Sequence, residues 1–269
     1  MTGDGLATDR LMLLNPQRIF YAGLLGNPRG KASGALSIYV TVQGYLKATI
    51  AGRITRDAQF AIVPPYAPHE IESEFRSILC VCIEPETVSR DTLDQLSYNT
   101  MNSSPFDVVG RVRAAYEHLC RQFEASGFTT KEFDNIFFGE TFEPRLLDPR
   151  IAHVVSLLSN SFTGKAVTAA DCAASVHLSL SRFLHLFKEE IGITFRIFKA
   201  WKRARHLLHF VNCETNFAHL AQNIGYPDST HFCHSIRRFY GLQPRDIFSG
   251  SRGLAIYRGD ATGTPDLLH

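Results

Sequence analysis

The sequence predicts an α+β protein of two domains: a small antiparallel β-barrel with following helices, then an all-α tandem helix-turn-helix. Three observations predict it. Apolar and polar residues alternate from Leu36 to Val42, a helical pattern occurs twice in the last hundred residues, and positive charge concentrates in that same C-terminal part. At 269 residues the chain is long enough for two domains, each burying its own core. It has no apolar run long enough to span a bilayer, and Met1 to Arg10 lacks the apolar stretch of a signal peptide, so a soluble, cytoplasmic protein is expected.

Residues 1–128 are assigned to the first domain. Leu36, Ile38, Val40 and Val42 alternate with Ser37, Tyr39 and Thr41, the period of a half-buried strand, which ends at the turn Gln43-Gly44. Further strands are expected at Tyr45–Ile50, Gln59–Val63, His69–Phe75 and Ser77–Ile83, with turn residues at Gly44, Gly52, Pro64-Pro65 and Pro68. Short strands joined in this way form a small barrel or sandwich, whose mouth can hold one small ligand. Arg18, Arg29, Lys31, Arg53 and Arg56 make the strand region locally basic. An effector carrying carboxylate or phosphate, a cyclic dinucleotide at a dimer interface among them, suits such a cluster; solvated surface charge is the alternative. Tyr39, Tyr45, Tyr66 and His69 are the aromatic residues placed nearest a pocket, and Arg29, Lys31, Tyr39, Arg53, Arg56, Tyr66 and His69 form the candidate ligand set.

After Glu84 the pattern becomes helical. Across Asp107 to Ser126, Val109, Val112, Tyr116, Leu119 and Phe123 recur at spacings of three and four, a stripe that must bury against something. It packs on its own barrel, pairs with the same helix of a second subunit, or does both. Residues 129–148 have irregular composition and are read as a linker.

The repeated pattern fills residues 149–253, and 254–269 are left as a C-terminal tail. One copy runs through Ala173, Val176, His177 and Leu178, then Phe183, Phe187 and Lys188, and closes at Gly192. Another runs through Ala221, Ile224, Gly225 and Tyr226, then Phe232, Ile236 and Arg237, and closes at Gly241, with one extra residue in its turn. Each is a short helix with a small residue at a close crossing, a tight turn, and a second helix with inward apolar residues four apart. Residues 149–253 carry thirteen Lys or Arg against six Asp or Glu, while the chain as a whole is only +2. This segment is therefore the part drawn to a polyanion.

The segment resembles the DNA-binding domain of the AraC family of bacterial transcription regulators over roughly Asp148 to Phe248. The resemblance is carried by Ala173-x-x-Val176-x-Leu178-Ser179, by Phe183-x-x-x-Phe187-Lys188-x-x-x-Gly192-x-Thr194-Phe195, by Leu220-Ala221-x-x-Ile224-Gly225-Tyr226-x-Asp228-x-x-x-Phe232, and by Phe239-x-Gly241-x-x-Pro244. The N-terminal domain more weakly resembles the cupin-like sensor half of such regulators, best at Val63 to His69. Two departures stand out: His177 where the family turns with glycine, and His185 where it commonly has an arginine facing DNA. His visits left-handed conformations more often than most residues, so the turn is expected to survive.

The resemblance implies a long helix, Thr194 to Phe210, joining two helix-turn-helix units, with recognition helices at Ser179–Glu190 and Ser229–Tyr240 in successive major grooves. Expected outward residues are Ser181, Arg182, Leu184, His185 and Lys188 on the first, and Thr230, His231, Cys233, His234, Arg237 and Arg238 on the second. Ser181, Arg182, Thr230, His231 and His234 are candidates for base readout, and Lys188, Arg237 and Arg238 for phosphate. The expected partners are promoter DNA, RNA polymerase, a second copy of the chain and a small-molecule effector, with activation as the expected outcome.

Six cysteines, at 80, 82, 120, 172, 213 and 233, show no C-x-x-C pairs and read as reduced core residues, with redox sensing the alternative. No catalytic residues, metal ligands or cofactor are expected: the barrel region holds one histidine, His69, and no nucleophile elbow or Walker loop is present. Two other readings stand beside the sensor: a ligand-independent regulator whose barrel only dimerises, and, more remotely, a cupin-type enzyme fused to a DNA-binding domain.

Overall fold

In a computed structural model, which describes residues 10–26, 30–75, 77–102, 105–122, 128–160, 167–213 and 216–259, the N-terminal half is two facing β-sheets. The strands are β1 (Leu11–Leu14), β2 (Arg18–Leu24), β3 (Leu36–Thr41), β4 (Leu46–Ile50), β5 (Arg53–Ala58), β6 (Phe60–Val63), β7 (His69–Ser73) and β8 (Ser77–Ile83). Helices α1 (Arg90–Asn102), α2 (Pro105–Gln122) and α3 (Thr130–Phe138) follow, and then α4 (Pro149–Asn160), α5 (Ala169–Ser175), α6 (Leu180–Ile191), α7 (Phe195–His206), α8 (Phe217–Asn223), α9 (Ser229–Tyr240) and α10 (Pro244–Gly250). A last strand, β9 (Ala255–Arg258), ends the described chain.

One sheet has the order β6-β3-β8-β2-β1-β9 and the other β5-β4-β7. Alternation sorts β8: Leu79 and Val81 face a layer made by α2 and α3, while Ile78 and Cys80 face the second sheet through Leu46, Ala48 and Ile71. Because both faces are covered, β1 and β3 are buried along their whole length. The strands expected from the sequence are present with ends shifted by a residue or two. Strands β1, β2, β5 and β9 were not foreseen.

The stripe on α2 is committed to its own sheet. Val109, Val112 and Leu119 are buried, and Tyr116 packs against the same cluster, with Phe20, Phe133 and Phe137. Arg113 pins the helix to β3 by donating from Nε to the Thr41 carbonyl at 2.9 Å. These side chains are therefore not an open dimer face, which corrects the dimerisation expectation; Phe123 lies outside the described residues. The expected linker is also corrected. Its first part is α3, opened by a Thr129–Glu132 capping box and closed by Gly139 at φ 77°. Asp134 of α3 holds the Arg18 guanidinium of β2 in a buried fork, 2.7 and 2.9 Å from Nε and Nη2.

Residues 254–259 of the expected tail are ordered against the N-terminal sheet, and 260–269 lie outside the described residues. Strand β9 pairs parallel to β1, with Leu11 opposite Ala255 and Leu14 opposite Arg258, so it completes the N-terminal sheet. Met12, Leu14 and Ile19 share one apolar cluster with Trp201, Leu207, Phe232, Ile236, Phe239 and Leu254. The second helix-turn-helix unit thus has a core in common with the N-terminal domain, whereas the first has its own. No helix among the described residues is long and apolar enough to cross a membrane.

Candidate nucleic-acid interface

Each unit is built by the same local chemistry. In the first, Thr168 caps α5 in a box with Asp171, and the Leu178 amide donates to the Ala173 carbonyl at 2.9 Å across the turn. In the second, Asn216 caps α8, and the Tyr226 amide donates to the Ala221 carbonyl at 2.8 Å. The two alanines are buried at these crossings. The left-handed residue of the turn is His177 at φ 55° in one unit and Gly225 at φ 79° in the other, as the departure from glycine implied. The extra residue falls at Pro227, between the closed turn and the cap of α9.

Ser179 caps α6 and Asp228 caps α9, and both helices end at a left-handed glycine, Gly192 and Gly241. Inward residues Phe183, Leu186 and Phe187 pack on Phe195 and Phe198; Phe232, Ile236 and Phe239 pack on Trp201 and Ala204. Helix α7 therefore fills both cores and fixes one unit against the other. It runs from Phe195 to His206, with a 3-10 turn at Leu207–His209 covering the rest of the expected helix.

The profile of the family described as "Helix-turn-helix domain" matches residues 172–249, which span both units. Residues 172–249 are a helix-turn-helix domain. The whole chain resembles ToxT from Vibrio cholerae in its 1.65 Å P21 form, at 12% identity over 87% of this chain and 98% of that one, with a TM-score of 0.52. It also resembles wild-type ToxT of Vibrio cholerae strain SCE256 with unsaturated fatty acid bound, at 12% identity, 89% and 97% coverage and a TM-score of 0.50. These likenesses show a shared two-domain fold. An AraC-type transcriptional regulator from Chromobacterium violaceum matches 38% of this chain and 90% of its own at 19% identity, with a TM-score of 0.34. No curated protein matches the chain by sequence.

Within the helix-turn-helix domain, Ser181, Arg182, Leu184, His185 and Lys188 are exposed on α6, and Thr230, His231, His234, Arg237 and Arg238 on α9. Cys233 is the correction: it is half-buried and packs against the shared core rather than facing outward. The cap of α9 also orients a readout candidate. Asp228 accepts from the His231 backbone amide at 2.8 Å, and its other carboxylate oxygen lies 2.8 Å from His231 Nδ1, which fixes the orientation of this exposed ring. The same two bonds hold the Asp228 carboxyl below its usual range.

Between the units lies an open cleft of about 610 Å³, lined by Leu184, His185 and Lys188 of α6, Thr194 to Ile197 at the start of α7, and Arg238 of α9. Three cations, Lys188, Arg196 and Arg238, share it. Arg196 was missed by sequence reasoning, although it follows the Gly192-x-Thr194-Phe195 signature directly and is exposed. Arg238 accordingly belongs to the junction of the two units, and its guanidinium lies 5.4 Å from the centre of the Phe239 ring.

The candidate ligand residues divide. Lys31, Tyr39 and His69 come together: Tyr39 Oη and His69 Nε2 are 3.1 Å apart, and the Lys31 amine sits 4.6 Å from the Tyr39 ring centre. Burial, then Lys31, push the His69 imidazole down to about 4, against a bond to the Ala67 carbonyl. Tyr66 is at the edge of the core shared with the second unit, where burial raises its phenol far above the ordinary range. Arg53 and Arg56 are corrected: they are exposed on β5, at the edge of the smaller sheet, and do not join this group. Arg29 lies outside the described residues, and Tyr45 is exposed.

Proposed function

We propose that this AraC-type chain is a sequence-specific transcription regulator whose two recognition helices read adjacent major grooves of a promoter. The observation that carries the reading is the exposed polar and basic face of both α6 and α9, joined by the Lys188, Arg196 and Arg238 cleft. Duplexes selected from a random library supply the test. Arg182→Ala and His231→Ala are expected to weaken selected DNA far more than random DNA. Arg237→Ala and Arg196→Ala are expected to weaken both alike and to flatten the salt dependence. Failure to enrich any sequence overturns the reading; equal losses on both DNAs for the first pair overturn the base-contact assignment.

The reading extends to control by a small-molecule effector with an anionic group, held at Lys31 beside Tyr39 and His69. ToxT, which shares the fold, has been solved with an unsaturated fatty acid bound. Any effector must bind the DNA-competent and incompetent arrangements with different affinity. Activation through RNA polymerase, and a homodimer that raises local concentration at paired sites, complete the proposal. Native mass spectrometry of the purified chain tests both finer points, since a dimer carrying a small molecule supports them and an empty monomer opposes them.

A further inference from the structure

Cys80 and Cys82 lie two apart on β8, so their side chains share the face turned toward the second sheet. Their sulfurs are 3.5 Å apart. Ser37, opposite Cys82 in the ladder, places its hydroxyl 3.7 Å from the Cys82 sulfur, and Tyr21 and Tyr39 stand opposite Cys80. The Lys31 amine is near enough to both sulfurs to interact electrostatically, and among the described residues no carboxylate pairs with it. Cys80 is buried, whereas Cys82 keeps part of its surface accessible. The next residue on this face is Glu84, whose carboxylate accepts from Trp201 and pairs with Lys202 and Arg205 of α7.

We propose that Cys80 and Cys82 form an oxidisable dithiol, at which a hydroperoxide converts the two thiols to a disulfide and shifts the strand end that holds α7 through Glu84. Cys82 is the attacking sulfur: the Cys80 thiol, with Ser37 and Lys31, holds it below the ordinary thiol range against the effect of burial. Its thiolate takes the terminal oxygen of the hydroperoxide. The O–O bond breaks, the leaving alkoxide or hydroxide takes up a proton, and Cys82 becomes a sulfenic acid. The Cys80 sulfur then attacks the Cys82 sulfur, the S–O bond breaks, and hydroxide leaves with the Cys80 proton as water. Two thiols and one hydroperoxide thus yield a disulfide, a water and an alcohol, or a second water when the oxidant is hydrogen peroxide.

Residues two apart on a strand are separated by roughly 6.6 Å between Cα atoms, near the upper limit for a disulfide of about 6.8 Å. Closing the bond draws the sulfurs from 3.5 Å to about 2.05 Å, so β8 must pucker between the cysteines. A strained bond of this kind is readily reduced again, which suits a reversible signal.

The test uses the full chain, reduced, then treated with equimolar hydrogen peroxide, with alkylation of the remaining thiols and peptide mass spectrometry. The expected result is that the 77–90 peptide loses two hydrogens and both alkylation sites, reversibly with dithiothreitol, while emission from Trp201, the single tryptophan, changes in step. Cys80→Ser should stop at a sulfenic acid on Cys82 that dimedone traps, and Cys82→Ser should stay unmodified in this peptide. Cys80 and Cys82 still alkylating after other cysteines have oxidised overturns the site. A disulfide that forms with unchanged Trp201 emission overturns its coupling to α7. Neither readout involves DNA, so the result is separable from the proposed regulator role.

Discussion

Trp201 Nε1 lies 3.2 and 3.0 Å from the two carboxylate oxygens of Glu84, inside a junction where the same carboxylate meets Lys202 at 2.6 Å and Arg205 at 2.8 Å. Burial alone would push the Glu84 carboxyl up, but the two cations more than offset it and hold it below its usual range. Glu84→Gln keeps the shape, leaves Lys202 with Glu86 as its remaining carboxylate and takes from buried Arg205 the carboxylate it meets. Breaking a buried pair in this way costs about 3–5 kcal/mol. Urea unfolding followed by Trp201 emission should show that loss together with altered native emission; a change below about 1 kcal/mol would mean that the apolar core, not the ion cluster, joins the domains.

Strand β9 ties the last described strand to the first. Ala255 N donates to the Arg10 carbonyl and Gly259 N to the Leu14 carbonyl, Ile256 packs on the core shared with the second unit, and Tyr257 packs toward α2 and α3. Ending the chain after Leu254 exposes the edge of β1 and removes four partly buried side chains, of which Ile256 and Tyr257 bury the most apolar surface, a loss on the order of 2–3 kcal/mol. The shortened chain should unfold at lower urea while the helix-turn-helix domain keeps its helical circular dichroism below the transition. An unchanged midpoint would show that the strand pairing adds nothing.

What the sequence disclosed follows from the range of the forces involved. The two turns were legible because Ala173, Ala221, Gly192 and Gly241 act within a few residues of themselves, and the alternation of Leu36 to Val42 is equally local. Strand β1 was not, because Leu11 to Leu14 are buried on both faces and show no period. Helix α3 was read as linker because only Phe133 and Phe137 mark its inward side. The partners of Glu84 lie more than a hundred residues away, as does the strand that β9 joins, and no local pattern announces such pairings. On α6 and α9, the helix wheel placed ten of the eleven expected residues outward and failed at Cys233, which packs against a core that α7 shares.

His177 occupies the left-handed turn that Gly225 takes in the second unit, with φ 55°, and its side chain is exposed. A non-glycine residue pays roughly 1–2 kcal/mol for that conformation, while glycine loses about 0.5–1 kcal/mol more backbone freedom on folding. His177→Gly should therefore stabilise the protein by about 0.5–1 kcal/mol in chemical denaturation. A net loss would reveal that the imidazole makes a compensating contact in solution.

Two buried histidines, His69 and His206, and the half-buried His209 set the acid limit of the fold. Burial lowers His69 to about 4, His206 to about 2 and His209 to about 3, with nearby cations adding to the effect. Below the unfolded value of about 6.5 the unfolded chain takes up protons that the folded chain refuses. Stability is thus complete above that pH and falls as the pH drops toward the folded values. Each histidine contributes a slope of up to about 1.4 kcal/mol per pH unit within its window. Urea midpoints measured from pH 7.5 to pH 4.5 should decline below about pH 6.5, and His206→Asn, which removes one titrating ring, should make the decline shallower. A flat profile across that range would show that these rings titrate alike in both states and that their burial is incomplete in solution.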